Sequence, residues 1–216
     1  MKSPFDFFDK IYCINLPNDT DRWAHAVIQF EKIGILDRVE KIYATPPHKD
    51  INVPSLKFPR GEMGVSLSQN KVIMNALISG ANNVLIFEDD IVFEADTINK
   101  LETALAELPE DWDILFFGGN PVEGMSKYSS TLNKTKVFYG AFAYALTRQS
   151  MLKIINQFFD KLTIMPYDGL TSNISLEGNG YVINTPICWP HPGESVIRKA
   201  YRDYTNFLKN QWKPYI

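Results

Sequence analysis

Apolar positions along the chain alternate between two spacings. Dense runs of Val, Ile, Phe and Tyr, bounded by Gly, Pro or polar turn residues, predict buried strands. These runs cover 10–16, 39–45, 83–93, 111–119, 137–147 and 181–190. Between them the apolar residues recur at helical spacing, which predicts helices over 22–33, 62–79, 95–108 and 148–159. Gly34 and Gly80 follow the first two helices, as expected of residues that end a helix.

Strands that alternate with helices predict an α/β fold. We expect a mainly parallel, Rossmann-like sheet with helices on both faces, because parallel strands need crossover connections. The remaining segments are predicted as a proline-rich loop at 46–61, a polar loop at 120–136, an irregular or briefly helical stretch at 165–180 and a helical tail at 193–216. Ligands of such sheets bind beyond the carboxyl ends of the strands.

Composition narrows the class of protein. The 216 residues are 45% hydrophobic and 22% charged, which predicts one folded domain with a full core. The net charge of -3 gives no sign of a nucleic-acid partner. No apolar run approaches the ~20 residues that span a bilayer, and no secretory signal is visible, so we expect a cytoplasmic protein. Cys13 and Cys188 are predicted to be reduced core thiols rather than a disulfide.

Three acids interrupt the strongest strand, "LIFEDDIVF" at 85–93. In an extended segment Glu88 and Asp90 would face one side and Asp89 the other. Carboxylates crowded together repel each other unless a cation lies between them, and oxygen ligands favour Mg(II), Mn(II) or Ca(II). Two protein ligands would leave coordination positions for phosphate oxygens. The alternative is that the acids are solvated and simply end the strand.

Six blocks in order resemble glycosyltransferase family 25, which contains lipopolysaccharide and collagen glycosyltransferases of polysaccharide biosynthesis and related pathways. The blocks are "INLPNDTDRW" (14–23), "GEMGVSLSQNKVI" (61–73), "LIFEDD" (85–90), "DWDILFFGG" (111–119), "GAFAYALTRQSMLKII" (140–155) and "MPYDGLTSNI" (165–174). Together they span most of the chain. Each block is short, so the resemblance depends on all of them occurring in this order.

The resemblance implies a glycosyltransferase-A type fold and an inverting reaction. The family transfers a hexose, galactose or glucose, from a UDP-sugar to a hydroxyl of a glycan or lipid-linked glycan, and it uses Mn(II) or Mg(II). Asp90 would be the principal metal ligand, with Glu88 as a second. Glu88 or Asp89 would also contact the donor. The "INL…DR" block would place Asn15, Leu16 and Arg22 in the donor pocket.

Three further residues follow from the same resemblance. Asp168 matches the aspartate of the P-x-D segment and is the predicted catalytic base, although an aspartate there would also suit the cap of a helix starting near Gly169. His191, between two prolines, is a candidate third metal ligand or an ordinary surface histidine. Arg198 is a candidate partner of the donor diphosphate.

The sequence also departs from the family and leaves alternatives open. Gln69 stands where the family has a histidine, so a non-catalytic nucleotide-sugar or glycan-binding relative is the second hypothesis, and a metal-dependent nucleotidyltransferase is the third.

One domain is predicted, with a donor half at about 1–118, an acceptor side at about 119–192 and a tail at 193–216. The tail is expected to pack on the core, or else to contact a membrane peripherally. Trp112 is predicted to lie in the core, and Tyr128, Tyr139 and Tyr144 to be candidates for stacking on a sugar.

Overall fold

A computed structural model describes residues 3–46, 58–161, 164–195 and 200–212. The strands are β1 (Lys10–Asn15), β2 (Val39–Tyr43), β3 (Asn83–Glu88), β4 (Ile91–Phe93), β5 (Ile114–Phe116), β6 (Asn120–Glu123), β7 (Ser126–Lys127), β8 (Leu132–Lys134), β9 (Val137–Tyr139), β10 (Ala143–Thr147), β11 (Gly180–Ile183), β12 (Cys188–Pro190), β13 (Gly193–Ser195) and β14 (Ala200–Arg202). The helices are α1 (Thr20–Lys32), α2 (Arg60–Ile78), α3 (Thr97–Glu107), α4 (Arg148–Lys161), α5 (Tyr167–Glu177) and α6 (Tyr204–Trp212).

The main sheet has eight strands in the order β2-β1-β3-β10-β5-β11-β8-β7. β1 pairs in parallel with β2 and β3, and β5 pairs in parallel with β11. β10 and β8 run against their neighbours, so the remaining six strands share one direction. The predicted α/β fold with a mainly parallel sheet is therefore confirmed.

Two apolar cores cover the two faces of this sheet. On one face α2, α4 and α5 contribute residues such as Val72, Ile154 and Leu170. On the other face α1 and α3 contribute residues such as Phe30 and Leu101. These residues recur at helical spacing in the sequence, which explains why the pattern predicted α1 to α4.

Three residues predicted to lie in the core do so. Trp112 is buried with the α1 and α3 face of the sheet. Cys13 and Cys188 are free thiols, both buried on that same face. Burial raises the pKa of each thiol well above its ordinary value, so both stay protonated and behave as small apolar side chains.

Three predicted strands are each divided in two, the first two of them beside the acids and around a glycine. β3 ends at Glu88, and β4 starts at Ile91 and pairs with β12 in a separate two-stranded sheet. The segment 137–147 divides into β9 and β10 around Gly140. A Cβ at Gly140 would lie 2.5 Å from the carbonyl oxygen of Gly118, so only glycine allows the two segments to approach this closely.

The irregular segments contain more structure than the sequence pattern predicted. The predicted loop at 120–136 forms β6, β7 and β8, and the stretch at 165–180 forms the three turns of α5. The segment 111–119 shortens to β5, and 181–190 divides into β11 and β12. The pattern indicated at most a brief helix here because Gly169 and several Ser, Thr and Asn residues obscure the apolar face of α5, which is set by burial of Tyr167, Leu170 and Ile174.

In the tail, β13 pairs with β14 in antiparallel fashion and α6 follows. Leu208 and Trp212 are buried, and the indole Nε1 of Trp212 donates a hydrogen bond of 2.7 Å to the carbonyl of Gly119. The expectation that the tail packs on the core is confirmed for these two residues. Within the described ranges, no helix combines the length and apolar character needed to cross a bilayer.

Candidate active site

A cleft of about 1040 Å³ opens beyond the carboxyl ends of the three adjacent parallel strands β2, β1 and β3. The first residues after each strand line it: Ala44 and Thr45 after β2, Leu16 after β1, and Asp89 and Asp90 after β3. Glu88, the last residue of β3, also reaches it. This is the position at which open α/β sheets bind their ligands.

Arg22 bridges two of the three acids. Its Nη2 lies 2.5 Å from Asp89 Oδ1 and 2.7 Å from Asp90 Oδ2. The predicted alternation, with Asp89 facing away from Asp90, is therefore wrong. Alternation ends with the strand at Glu88, and Asp89 and Asp90 form a turn that presents both carboxylates to the same guanidinium.

Asn15 supports this turn from behind. Its Nδ2 donates to Asp89 Oδ2 at 2.6 Å and to the carbonyl of Asp19 at 3.0 Å, and the residue is buried. Asp19 in turn caps α1 by accepting from the backbone N–H of Arg22 at 3.2 Å. Of the three predicted donor residues in this block, Leu16 and Arg22 line the cleft, while Asn15 orients Asp89.

The acids carry more negative charge than Arg22 can balance. Burial raises the pKa of Asp89 to about 6, although Arg22 and Asn15 favour its charged form. Burial also raises the pKa of Asp90, against the effect of Arg22. The pKa of Glu88 rises well above its ordinary value, first through burial and then through the charge of Asp90. Among the described residues that line the pocket, these three acids outnumber the one guanidinium, that of Arg22.

Two of these carboxylates retain open acceptors. Asp90 Oδ1 is buried and has no hydrogen-bond partner in the described part of the chain. The Glu88 carboxylate makes no hydrogen bond or ion pair there either. Unpartnered carboxylate oxygens in a partly buried, negatively charged pocket suit a hard divalent cation, so these residues fit the metal that the resemblance implies.

A third metal ligand is not in place beside them. Among the residues that the structure describes, no three His, Cys, Asp or Glu side chains are grouped to hold a metal. The backbone N–H of His191 donates to the carbonyl of Asp90, which places His191 at the rim of the cleft, but its ring packs 4.6 Å from the ring of His25. The role of His191 as a ligand stays a prediction.

His25 also belongs to the cleft, which its sequence context did not suggest. Its Nε2 lies 2.9 Å from the carbonyl of Ile91. It follows Arg22 by three positions on α1, so both side chains share one helical face. The spacing of Arg22 and His25 was the signal in the sequence that could have placed His25 at the cleft. Arg198 lies outside the described residues.

Asp168 faces the same cleft from α5. The helix begins at Tyr167 and its capping position is Pro166, so the cap interpretation is wrong. The Asp168 carboxylate instead accepts a hydrogen bond of 3.0 Å from the N–H of Ala141. Burial raises its pKa, and the backbone N–H groups of Ala141 and Gly140 moderate the increase. The charge of Asp168 contributes to the raised pKa of Glu88, so the two acids interact electrostatically across the cleft.

Gln69 fixes the backbone that holds Asp168. It is fully buried, its Nε2 donates to the carbonyl of Ala141 at 3.1 Å, and its Oε1 accepts from the hydroxyl of Tyr144 at 2.8 Å. Ala141 is thus held through its carbonyl by Gln69 while its N–H holds Asp168. The residue that replaces the family's histidine has a positioning contact here.

The candidate sugar-stacking tyrosines divide into three cases. Tyr144 is completely buried in the core, so its assignment as a stacking residue is wrong. Tyr128 is exposed but packs its ring 4.9 Å from Tyr181, away from the residues that line the cleft. Tyr139 lines the cleft and is exposed.

No protein-family model matches the chain. It is 24% identical over 170 residues to a Bos taurus protein named "Probable inactive glycosyltransferase 25 family member 3", covering 68% of this chain and 29% of that protein. It is 28% identical over 105 residues to the "Procollagen lysyl hydroxylase and glycosyltransferase" of Acanthamoeba polyphaga mimivirus, covering 44% of this chain and 12% of that protein. The chain therefore spans less than a third of either relative.

Among solved structures, a glycosyltransferase involved in the glycosylation of the major capsid of PBCV-1 aligns over 81% of this chain and 91% of its own, with 9% identity and a TM-score of 0.49. A197 from STIV aligns over 80% of both chains, with 11% identity and a TM-score of 0.43. Likeness at this level carries no argument about function. The two sequence similarities support a relationship to glycosyltransferases, at low identity.

Proposed function

We propose that this chain is a metal-dependent, inverting glycosyltransferase that moves a hexose, galactose or glucose, from a UDP-sugar to a hydroxyl of a glycan or lipid-linked glycan. One observation carries the proposal. The open carboxylate oxygens of Glu88 and Asp90 and the partly buried carboxylate of Asp168 line one cleft beyond the carboxyl ends of parallel strands. The sequence similarities to proteins named as glycosyltransferases support sugar transfer in general.

The donor would bind on the β1 and β3 side of the cleft. Leu16 offers an apolar wall and Arg22 a guanidinium suited to phosphate. Glu88 and Asp90 would hold Mn(II) or Mg(II), with His191 as a candidate further ligand. The ion, when bound, supplies Lewis-acid stabilisation of the diphosphate leaving group. Asn15 keeps Asp89 oriented toward Arg22.

Asp168 would act as the base. The acceptor oxygen forms a bond to the anomeric carbon as the bond from that carbon to the diphosphate breaks, and the hydroxyl proton passes to the Asp168 carboxylate. Burial raises the pKa of this acid, which makes its charged form a stronger base. The N–H of Ala141 fixes the direction of the carboxylate before the acceptor arrives.

A non-catalytic nucleotide-sugar or glycan-binding protein is the second candidate. Two observations favour it. Arg22 already pairs with Asp90, the predicted principal metal ligand. The Bos taurus relative is also named as inactive. A binder with this cleft would hold the donor without releasing UDP.

Thermal unfolding with a panel of nucleotide sugars, in Mn(II) or in chelator, tests the proposal. We expect UDP-galactose or UDP-glucose to raise the midpoint in Mn(II) but not in chelator, because a ligand that binds only the folded state stabilises it. UDP release from the stabilising donor, with and without glycan acceptors, then separates the candidates. Stabilisation without any UDP release would favour the binder. Absence of stabilisation by every nucleotide sugar would overturn the transferase and the nucleotide-sugar binder and leave a glycan-binding protein.

A further inference from the structure

Three aromatic side chains line the end of the cleft formed by β9 and the tail. They are Tyr139, Tyr204 and Phe207, with 43%, 39% and 50% of their surfaces exposed. Large aromatic side chains usually bury most of their area, so three exposed ones converging on a concave surface indicate a ligand with an apolar face. The residues expected to bind the donor, which follow β1 and β3, line the same cleft.

α6 holds two of these rings in place. Thr205 Oγ1 donates to the carbonyl of Pro190 at 2.9 Å near the start of the helix, and Trp212 Nε1 bonds to Gly119 at its end. Leu208 is buried between these anchors. Tyr204 and Phe207 are three residues apart, so they project from neighbouring positions of one helical face. They reach the cleft from a helix fixed at both ends.

The side-chain amide of Asn120 lies beside the rings. Asn120 is the cross-strand partner of Tyr139 in the β6–β9 pair, so their side chains share a face of that ribbon. Asn120 lines the cleft, and its amide makes no hydrogen bond in the ranges that the structure describes. An amide with free donors and acceptor next to aromatic faces matches the chemistry of a pyranose, which has one C–H face and a rim of hydroxyls.

We infer that Tyr139, Tyr204, Phe207 and Asn120 form the subsite that binds the acceptor as a pyranose ring. The rings stack on the C–H face of the sugar, and Asn120 bonds its hydroxyls. Tyr139 immediately precedes Gly140 and Ala141, whose N–H groups bind Asp168, so a sugar on Tyr139 lies next to the proposed base. The inference rests on the proposed function only in calling this sugar the acceptor.

The same aromatic residues would have to face outward for the tail to bind a membrane. Tyr204 and Phe207 line the cleft instead, and Lys209 is paired with Glu94 at 2.7 Å. Tyr201, with 68% of its surface exposed, is not among the residues lining the cleft. These placements favour a glycan over a lipid surface as the ligand of the tail.

Sugar binding in the absence of nucleotide tests the inference. Methyl β-D-galactopyranoside and methyl β-D-glucopyranoside are titrated into the isotope-labelled full chain, and dissociation constants are taken from amide NMR shifts. We expect Phe207→Ala and Tyr139→Ala each to weaken binding of the preferred pyranoside about tenfold, the upper range for one aromatic contact. Asn120→Ala should weaken it several-fold. Tyr201→Ala is the matched control and should leave the dissociation constant unchanged.

Three outcomes would overturn the inference. They are no binding of either pyranoside, equal binding by all variants, or Phe207-dependent binding to phosphatidylglycerol vesicles with no pyranoside binding. NMR spectra identify any variant that has failed to fold. The Phe207→Tyr variant retains an aromatic ring, so it should bind the pyranoside about as tightly as the parent chain. Mn(II)-dependent UDP binding is measured separately, so pyranoside binding without UDP binding refutes the proposed function and keeps the sugar subsite.

Discussion

Arg22 and Asp90 form an ion pair of 2.7 Å inside the candidate active site. The same guanidinium contacts Asp89 at 2.5 Å, so one cation serves two carboxylates while Glu88 stays unpaired among the described residues. Any divalent ion that binds Asp90 must therefore compete with Arg22, or share the carboxylate by using Oδ1, which has no partner among the residues that the structure describes. The balance of charge between Arg22 and the carboxylates, more than the shape of the pocket, therefore governs metal binding.

The competition predicts that Arg22→Ala tightens metal binding. Without the guanidinium, Glu88, Asp89 and Asp90 attract Mn(II) more strongly, and we expect a several-fold lower dissociation constant in electron paramagnetic resonance titrations without nucleotide. UDP binding should weaken, because the phosphate partner is lost. Arg38→Ala, which removes an ion pair with Asp6 away from the cleft, is the control. Unchanged or weaker Mn(II) binding by Arg22→Ala would refute the competition.

Asp90→Ala should abolish both Mn(II)-dependent UDP binding and sugar transfer. The fold should persist, because the carboxylate lies in a turn beyond β3 and its removal relieves repulsion with Glu88. Isothermal titration with UDP in Mn(II) and in chelator measures the effect, and Asp37→Ala, an exposed acid, is the control. Turnover that survives in Asp90→Ala with chelator present would refute the metal assignment.

Asp168→Asn should retain UDP binding and lose transfer, since the amide cannot accept the proton. The pKa of folded Asp168 is raised from 3.8, so its stabilising contribution is present below that value and is lost as pH rises through the folded pKa. The variant should therefore lose less stability than the parent chain as pH rises from 4 to 8. Transfer by the parent chain should fall as pH drops through the same pKa. An equal loss of UDP binding would place Asp168 in the donor site.

Gln69→Leu should destabilise the chain and displace Asp168. The substitution leaves the carbonyl of Ala141 without its hydrogen bond from Gln69, at about 1–3 kcal/mol for a buried group left unsatisfied. The hydroxyl of Tyr144 loses Gln69 but keeps its contact of 2.9 Å with the hydroxyl of Tyr167. Chemical denaturation measures the stability. Gln69→His tests whether the residue found in the resembling family restores the contact to Ala141. A transfer rate in Gln69→Leu equal to that of the parent chain would show that Ala141 does not depend on Gln69.

Glu107 should stabilise the segment before β8, residues 129–131, in a pH-dependent way. Its carboxylate accepts hydrogen bonds from Ser129, Ser130 and Thr131, which lower its pKa from 4.5 to about 2. The contribution is present above the unfolded value of 4.5 and is lost as pH falls toward 2. Amide exchange at Thr131, corrected for intrinsic rates, should accelerate across that window and become pH-independent in Glu107→Gln. Equal protection of Thr131 in the parent chain and in Glu107→Gln at neutral pH would refute this stabilising role.

The sequence pattern predicted the elements whose apolar spacing is unambiguous, among them β1, β2 and α1 to α4. It failed where distant contacts decide the conformation. Apolar residues continue on both sides of Asp89 and Asp90, but β4 leaves the sheet to pair with β12, almost a hundred residues later. Short-range periodicity carries no information about that partner.

The residues of the site were likewise predictable from local sequence, but their contacts were not. The acids were recognised because charge inside a buried strand is costly. Leu16 and Arg22 line the cleft, and their role in binding a donor stays a prediction. The Arg22 bridge, the His25–His191 contact and the hold of Gln69 on Ala141 join elements far apart in sequence. Each depends on the register and crossing of those elements, which no local pattern encodes.

The bond from Trp212 to Gly119 has a consequence for synthesis. Glu88 and Asp90 leave the ribosome more than a hundred residues before Trp212 does, and the helix that carries Tyr204 and Phe207 is held by that last anchor. A nascent chain can therefore assemble its acidic pocket while the aromatic part of the cleft is still missing. The cleft gains its aromatic side chains from α6 only when that helix has emerged and docked.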